Sequence, residues 1–292
     1  MRETMRPSAS LSVDLAPGHK TGLPLATPIL LGCGTAGYGA APEAVDAAAL
    51  GAVVTLPLAA RAVGTSPRFA PVPAGVVIDT GGPAAVRAVL RHWGERWRRA
   101  NPLVIAHVAG ESPAELAACT EALEEVREVA ALEWRADALP PDEAARAAAR
   151  LRAASDKPLL AQVPLVGAAD YAEALVGVAD ALVVGAPPQG TAWSAEDEAW
   201  VQGDVHGPGV FPLVVRALLA LREFPFPLVA FGGIHAPHQA VQAVLAGASA
   251  VMLDIAICRL PDLPGQALAA IMEEMENRAL DDLRQLVGRD AG

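Results

Sequence analysis

The chain has 292 residues, 53% of them hydrophobic, which is enough apolar side chain to close a core on both faces of a sheet. A formal net charge of -11, from 22 basic and 33 acidic residues with no Lys/Arg cluster, excludes a surface built to neutralise the phosphates of a nucleic acid. The length suits one α/β barrel of roughly 250 residues, so we expect a single domain over 1–292, with 1–24 as an N-terminal extension and 277–292 as a C-terminal tail.

Short β-type runs recur with helical stretches between them, the pattern of parallel βα units. In chain order the strands fall at 28–31, 52–56, 103–108, 131–134, 159–163, 181–184, 228–231 and 250–253. The helices fall at 42–50, 84–99, 112–128, 142–154, 168–176, 212–223, 237–246 and 265–276. Ser112-Pro113-Ala114-Glu115 carries a start signal, because the hydroxyl caps and the glutamate reaches back. Eight such units predict a (β/α)8 TIM barrel, an α/β fold closed on itself.

Two connections, 57–83 and 187–208, are too long for plain turns and lie on the side where strands end, the side that usually holds the site. The second includes Trp193-Ser194-Ala195-Glu196-Asp197-Glu198-Ala199-Trp200, read either as a flexible lid or, preferably, as a solvated turn with two packed tryptophans. Cys33, Cys119 and Cys258 are odd in number and widely spaced, so no disulfide framework or zinc site is expected, and a reducing cytoplasm fits. Residues 1–12 lack an apolar core of signal-peptide length, and no long apolar run elsewhere suggests a membrane anchor.

Phe231-Gly232-Gly233-Ile234, then a helix, then Ala250-Val251-Met252-Leu253-Asp254 is how the last two units of a barrel build a phosphate cup from backbone N–H groups. Here the second turn carries a carboxylate, Asp254, where an anion belongs. Gly32-Cys33-Gly34-Thr35-Ala36-Gly37 fits G-x-G-x-x-G, but no acidic residue closes the second strand at Leu56, so it reads better as a glycine-rich loop against which a flat ligand lies.

Taken together the chain resembles the class 1 dihydroorotate dehydrogenases, FMN-dependent barrels of pyrimidine synthesis, over 11–288. Gly32 to Gly39 resembles the family's first flavin loop, Gly64-Thr65-Ser66-Pro67-Arg68 its loop after strand two, and Val108-Ala109-Gly110 its turn after strand three. His206-Gly207-Pro208 is similar to its S-G-P turn, and Gly232-Gly233 to its phosphate end. The resemblance implies FMN held by Gly34, Thr35, Gly207, Gly232 and Gly233, with Asp254 at the phosphate. It also implies a homodimer and, in one branch, an iron-sulfur flavoprotein partner subunit.

The reactive positions depart from that pattern. The strand-two lysine is Leu56, the substrate-loop asparagine is Ile78, and the strand-five lysine is Gln162. The cysteine base of N-x-S-C-P-N falls on Ala138 within Arg135-Ala136-Asp137-Ala138-Leu139-Pro140, the Asn-Thr after strand six is Ala186-Pro187, and the final Gly-Thr is Asp254-Ile255. Oxidising dihydroorotate needs a base as hydride leaves, worth typically ~10²–10⁴ in rate. No catalytic residue of the family is retained, and FMN is expected to be weakened or lost.

Replacement pocket residues are His107, Arg135, Asp137, Gln162 and His206. Glu133, Arg135 and Asp137 alternate toward the barrel mouth, with His107 and His206 beside it. One reading has Arg135 gripping an anion while a histidine shuttles protons, and the blander has Glu133 and Arg135 pairing to fill space vacated by a flavin. A metal set from His107, Asp137, His206 and Asp254 lacks recognised spacing, and no metal is expected. Three functions stay open: an inactive homologue with a structural or regulatory role, an FMN oxidoreductase acting on another substrate, and a non-flavin binder or enzyme using Arg135.

Overall fold

The computed structural model describes residues 9–290 apart from 33, 40, 62, 63, 65, 100 and 101. Eight parallel strands form a closed ring: β1 (Ile29–Leu31), β2 (Ala52–Val54), β3 (Leu103–Val108), β4 (Val129–Arg135), β5 (Leu159–Val163), β6 (Ala181–Val184), β7 (Leu228–Phe231) and β8 (Ala250–Leu253). Each pairs with its neighbours in sequence, and β8 pairs with β1 to close the barrel. Among the described residues the α-helices are, in chain order, α1 (Val86–Arg99), α2 (Pro113–Glu124), α3 (Pro141–Ala154), α4 (Ala168–Leu175), α5 (Phe211–Leu221), α6 (Pro237–Leu245) and α7 (Leu263–Asn277).

Two apolar layers result from the period-2 alternation of the strands. Residues such as Ala106, Leu132, Ala161, Ala230 and Val251 face outward onto the helices, packing with Leu123, Leu151, Leu218 and Ile271. Their alternates, including Leu30, Val54, Ile105, Ala131, Leu160, Val183, Val229 and Met252, fill the barrel interior. A short hairpin, Val13–Asp14 with Pro24–Leu25, closes the bottom by adding Leu15, Leu23 and Leu25 to that interior layer. The segment expected as an extension is therefore part of the core.

The expected helix over 42–50 is absent. Asp46 accepts from Ala48 N at 2.9 Å, and this side-chain cap leaves only a 3-10 turn at Ala47–Ala49. At α2 the start signal operates as expected, with Ser112 Oγ accepting from Glu115 N at 3.3 Å; Glu115 reaches back, but to Glu111 N.

Both long connections fold into strands rather than loops. Arg68–Val72 and Gly75–Asp79, from the first, join Gln189–Ser194 and Ala199–His206, from the second, in one four-stranded antiparallel sheet. Trp193 and Trp200 face each other across the outer hairpin, ring centroids 5.4 Å apart and edge to face, and both are exposed. Of the two sequence readings, the turn with packed tryptophans describes this hairpin.

Candidate functional site

The inward alternates at the strand ends are not all apolar. His107 follows Ile105 on β3, Glu133 and Arg135 follow Ala131 on β4, Gln162 follows Leu160 on β5, and Asp254 lies just past β8, two residues after Met252. Period-2 geometry therefore aims five polar side chains at the carboxyl end of the barrel, together with Phe231 of β7.

Above them lies a cavity of about 510 Å³, roofed by the antiparallel sheet. Gly34, Thr35, Leu56, His107, Arg135, Gln162 and Phe231 line it from the barrel, and Phe69, Ile78, Asp79, Gln202, Asp204 and His206 from the sheet. Asp204 and His206 share a face of their strand, being two residues apart.

Glu133 is wholly buried. His107 Nδ1 lies 2.9 Å from its Oε1, and Gln162 Nε2 donates to the same oxygen at 2.7 Å. Its Oε2 has no hydrogen-bond partner among the described residues. The register that pairs Glu133 with His107 across β4 and β3 sets this contact, and Thr55 Oγ1 fixes the β3 end by accepting from His107 N at 3.0 Å.

Arg135 does not pair with Glu133, contrary to the blander sequence reading. Its Nε and Nη2 donate to Asp137 at 3.0 and 2.7 Å, Nη1 donates to Asp204 at 2.6 Å, and Nη2 also reaches Pro187 O at 3.2 Å. Burial works against its charge, but the two carboxylates more than offset that and hold its pKa above the ordinary guanidinium value. Glu133 points deeper, one pleat further from the sheet that supplies Asp204, which is why the two charges take different partners. These contacts leave Arg135 a single Nη1 hydrogen with which to meet an anion.

Asp254 is 1% exposed. Its Oδ1 accepts from Ala256 N at 3.4 Å, capping the 3-10 turn Ile255–Cys258, and its Oδ2 lies 3.3 Å from His206 Nδ1. Gly232 and Gly233 turn beside it at φ +103° and +74°, and a Cβ on Gly233 would meet Phe211 N at 2.3 Å. Gly207 follows His206 with Ala74 O so close that a Cβ would fall 2.3 Å from it.

The candidate residues are thus brought together in two groups. His107, Arg135, Gln162, His206, Gly34 and Thr35 line one cavity, and Asp137 clamps Arg135 from the side. Gly207, Gly232, Gly233 and Asp254 form the turns at its edge. Cys33 and Thr65 lie outside the described residues. Among the described residues no three His, Cys, Asp or Glu side chains converge as a metal ligand set, so the group His107, Asp137, His206 and Asp254 does not form one.

Ala138 lines an adjoining, mostly apolar chamber of about 350 Å³ with Trp134, Leu139, Pro113 and Leu116. Sequence reasoning missed Asp79, Asp204, Phe69 and Cys258 at the main cavity. The alternation Gln202, Asp204, His206 was available as a signal for Asp204; Asp79 and Phe69 depend on pairing between distant segments.

The fold and its mouth define a (β/α)8-barrel protein with a ligand-sized cavity at the carboxyl ends of the strands. No protein-family model matches the chain. It is 30% identical over 308 residues to the catalytic subunit of dihydroorotate dehydrogenase B (NAD(+)) of Trichlorobacter lovleyi, covering 97% of this chain and 99% of that protein. It is 29% identical to the corresponding subunit of Desulforudis audaxviator, covering 91% and 94%. The crystal structure of the Eimeria tenella enzyme DHODH in complex with ferulenol superposes with a TM-score of 0.75 at 14% identity, over 99% of this chain and 91% of that one, a likeness of fold. The chain belongs to the dihydroorotate dehydrogenase family. Among its described residues no helix is long and apolar enough to cross a membrane.

Proposed function

We propose that this member of the family does not oxidise dihydroorotate, that it holds FMN weakly or not at all, and that its role is structural or regulatory. The observation that carries this reading is Asp254, a buried carboxylate that takes a backbone N–H of the β8 turn for itself. A flavin phosphate delivered to that turn would meet a fixed negative charge in a poorly hydrated place. The residues at the cup therefore do not fit the phosphate of FMN.

Loss of the base points the same way. Where the family resemblance implies a cysteine stands Ala138, whose methyl group cannot take a proton, in a chamber that His107 and Glu111 also line. Both lysine positions are neutral, Leu56 and Gln162, so no ammonium group is available at either to stabilise added negative charge.

A homodimer, or a complex with another protein, is the setting in which such a barrel would act. Titration of the purified protein with FMN, followed by flavin fluorescence, tests the reading. Saturation at micromolar FMN would contradict it, whereas no saturable binding is expected.

A further inference from the structure

The polar groups around the mouth cavity have an ordered arrangement of charge. Among the described residues, Asp79 and Asp204 line the cavity, Asp137 clamps Arg135, and Glu133 and Asp254 stand behind His107 and His206. Against these five carboxylates stand two guanidinium groups, Arg68 and Arg135. Arg68 is bound to Asp79 through Nε and Nη2, and Arg135 uses Nε, Nη1 and Nη2 on Asp137, Asp204 and Pro187 O. Both guanidinium charges are matched by carboxylates in contact with them.

The two histidines have the opposite character. Each directs Nδ1 at a carboxylate that is 0% or 1% exposed, Glu133 for His107 and Asp254 for His206. In the neutral tautomer whose Nδ1–H donates to that carboxylate, Nε2 is an acceptor, and both residues line the cavity. Beneath the floor, the second oxygen of Glu133 has no partner among the described residues, on a side chain directed at the barrel axis. Phe231 lies between the strands that carry these groups, its ring 6.4 Å from that of His206, and Phe69 offers a second apolar face.

We propose that the cavity binds a planar, cationic ligand rich in N–H donors, of the amidinium or protonated aminoheterocycle class, and rejects planar carboxylates. The donors of such a ligand meet His107 Nε2, His206 Nε2 and the outer oxygens of Asp79 and Asp204, its charge is compensated by the surplus carboxylates, and its ring lies against Phe231 or Phe69. This rests on the reading that the site has ceased to take FMN and dihydroorotate, both anions, and gives the charge preference that replaced theirs.

The test uses the intact protein and three probes of one shape: benzamidine, benzamide and benzoate. Binding is measured by calorimetry, and its location by the rate at which iodoacetamide alkylates Cys258, an exposed thiol on the cavity lining. Benzamidine is expected to bind about tenfold or more tighter than benzoate, as like-charge juxtaposition penalises the anion, and to slow Cys258 alkylation saturably. Asp204→Asn removes the negative charge beside Arg135 Nη1, and in that variant benzoate is expected to gain and benzamidine to lose. Benzoate binding as tightly as benzamidine in the unmodified protein, absence of benzamidine binding, or unprotected Cys258 would each overturn the proposal, and none needs the variant to fold. FMN binding alongside a retained preference for benzamidine would remove the preceding reading and leave this one standing.

Discussion

Asp254 offers the sharpest perturbation, because one side chain both caps a turn and blocks a charge. Its Oδ1 lies 3.4 Å from Ala256 N. A phosphate oxygen sharing that N–H would sit ~3 Å from the same nitrogen, which brings the two anionic groups to ~4 Å. At an effective dielectric near 20 the repulsion is about 4 kcal/mol per charge pair, close to a thousandfold in affinity. Asp254→Asn keeps the volume and a capping oxygen and removes the charge, whereas Asp254→Gly also opens the turn and costs about 1 kcal/mol of cap. Both variants are expected to bind FMN ~10²–10³ more tightly than the parent, as followed by quenching of flavin fluorescence, with thermal unfolding checking that the fold persists. Equal affinity in parent and both variants would refute the electrostatic argument, since only the charge is common to the two changes.

Three further outcomes follow from the same contacts. Gln162→Leu removes a donor from wholly buried Glu133 and is expected to cost ~1–3 kcal/mol, read as a lower urea midpoint at unchanged slope; an unmoved midpoint would show that Gln162 does not hold the carboxylate. Burial pushes the Cys119 thiol up to about 12, so alkylation at pH 8 should modify Cys258 long before Cys119, and equal rates by peptide mapping would contradict the packing of α2 on β3. The Gly81 N–H and then Arg68 hold the Asp79 carboxyl below its ordinary 3.8 despite partial burial. A depressed carboxyl contributes stability that is present above 3.8 and lost as pH falls below it, so Asp79→Asn should flatten the acid side of the stability profile; an unchanged slope would remove Asp79 as its source.

The barrel was legible because its strands announce themselves locally. Leu103–Val108 and Leu159–Val163 are apolar runs between helices, buried on both faces, and their bounds match the sequence reading. The stretch at 42–50 misled because Asp46 caps in the middle of an alanine-rich run that otherwise favours helix. The mouth sheet was hidden for a different reason: Asp204 pairs with Ile78, so its register depends on contacts across more than a hundred residues. Likewise period 2 placed Glu133 and Arg135 on the correct face, but their partners are chosen by strand register and by the roof. Local pattern determines which way a side chain points, and only closure of the barrel determines what it meets.

The central claim is that a dihydroorotate dehydrogenase-family barrel persists here without its reaction. Orotate formation from dihydroorotate, measured by absorbance with saturating FMN and a dye as electron acceptor, tests it most directly. The account predicts a rate no greater than that of the same mixture without protein. Sustained turnover by protein carrying one flavin per chain would contradict it.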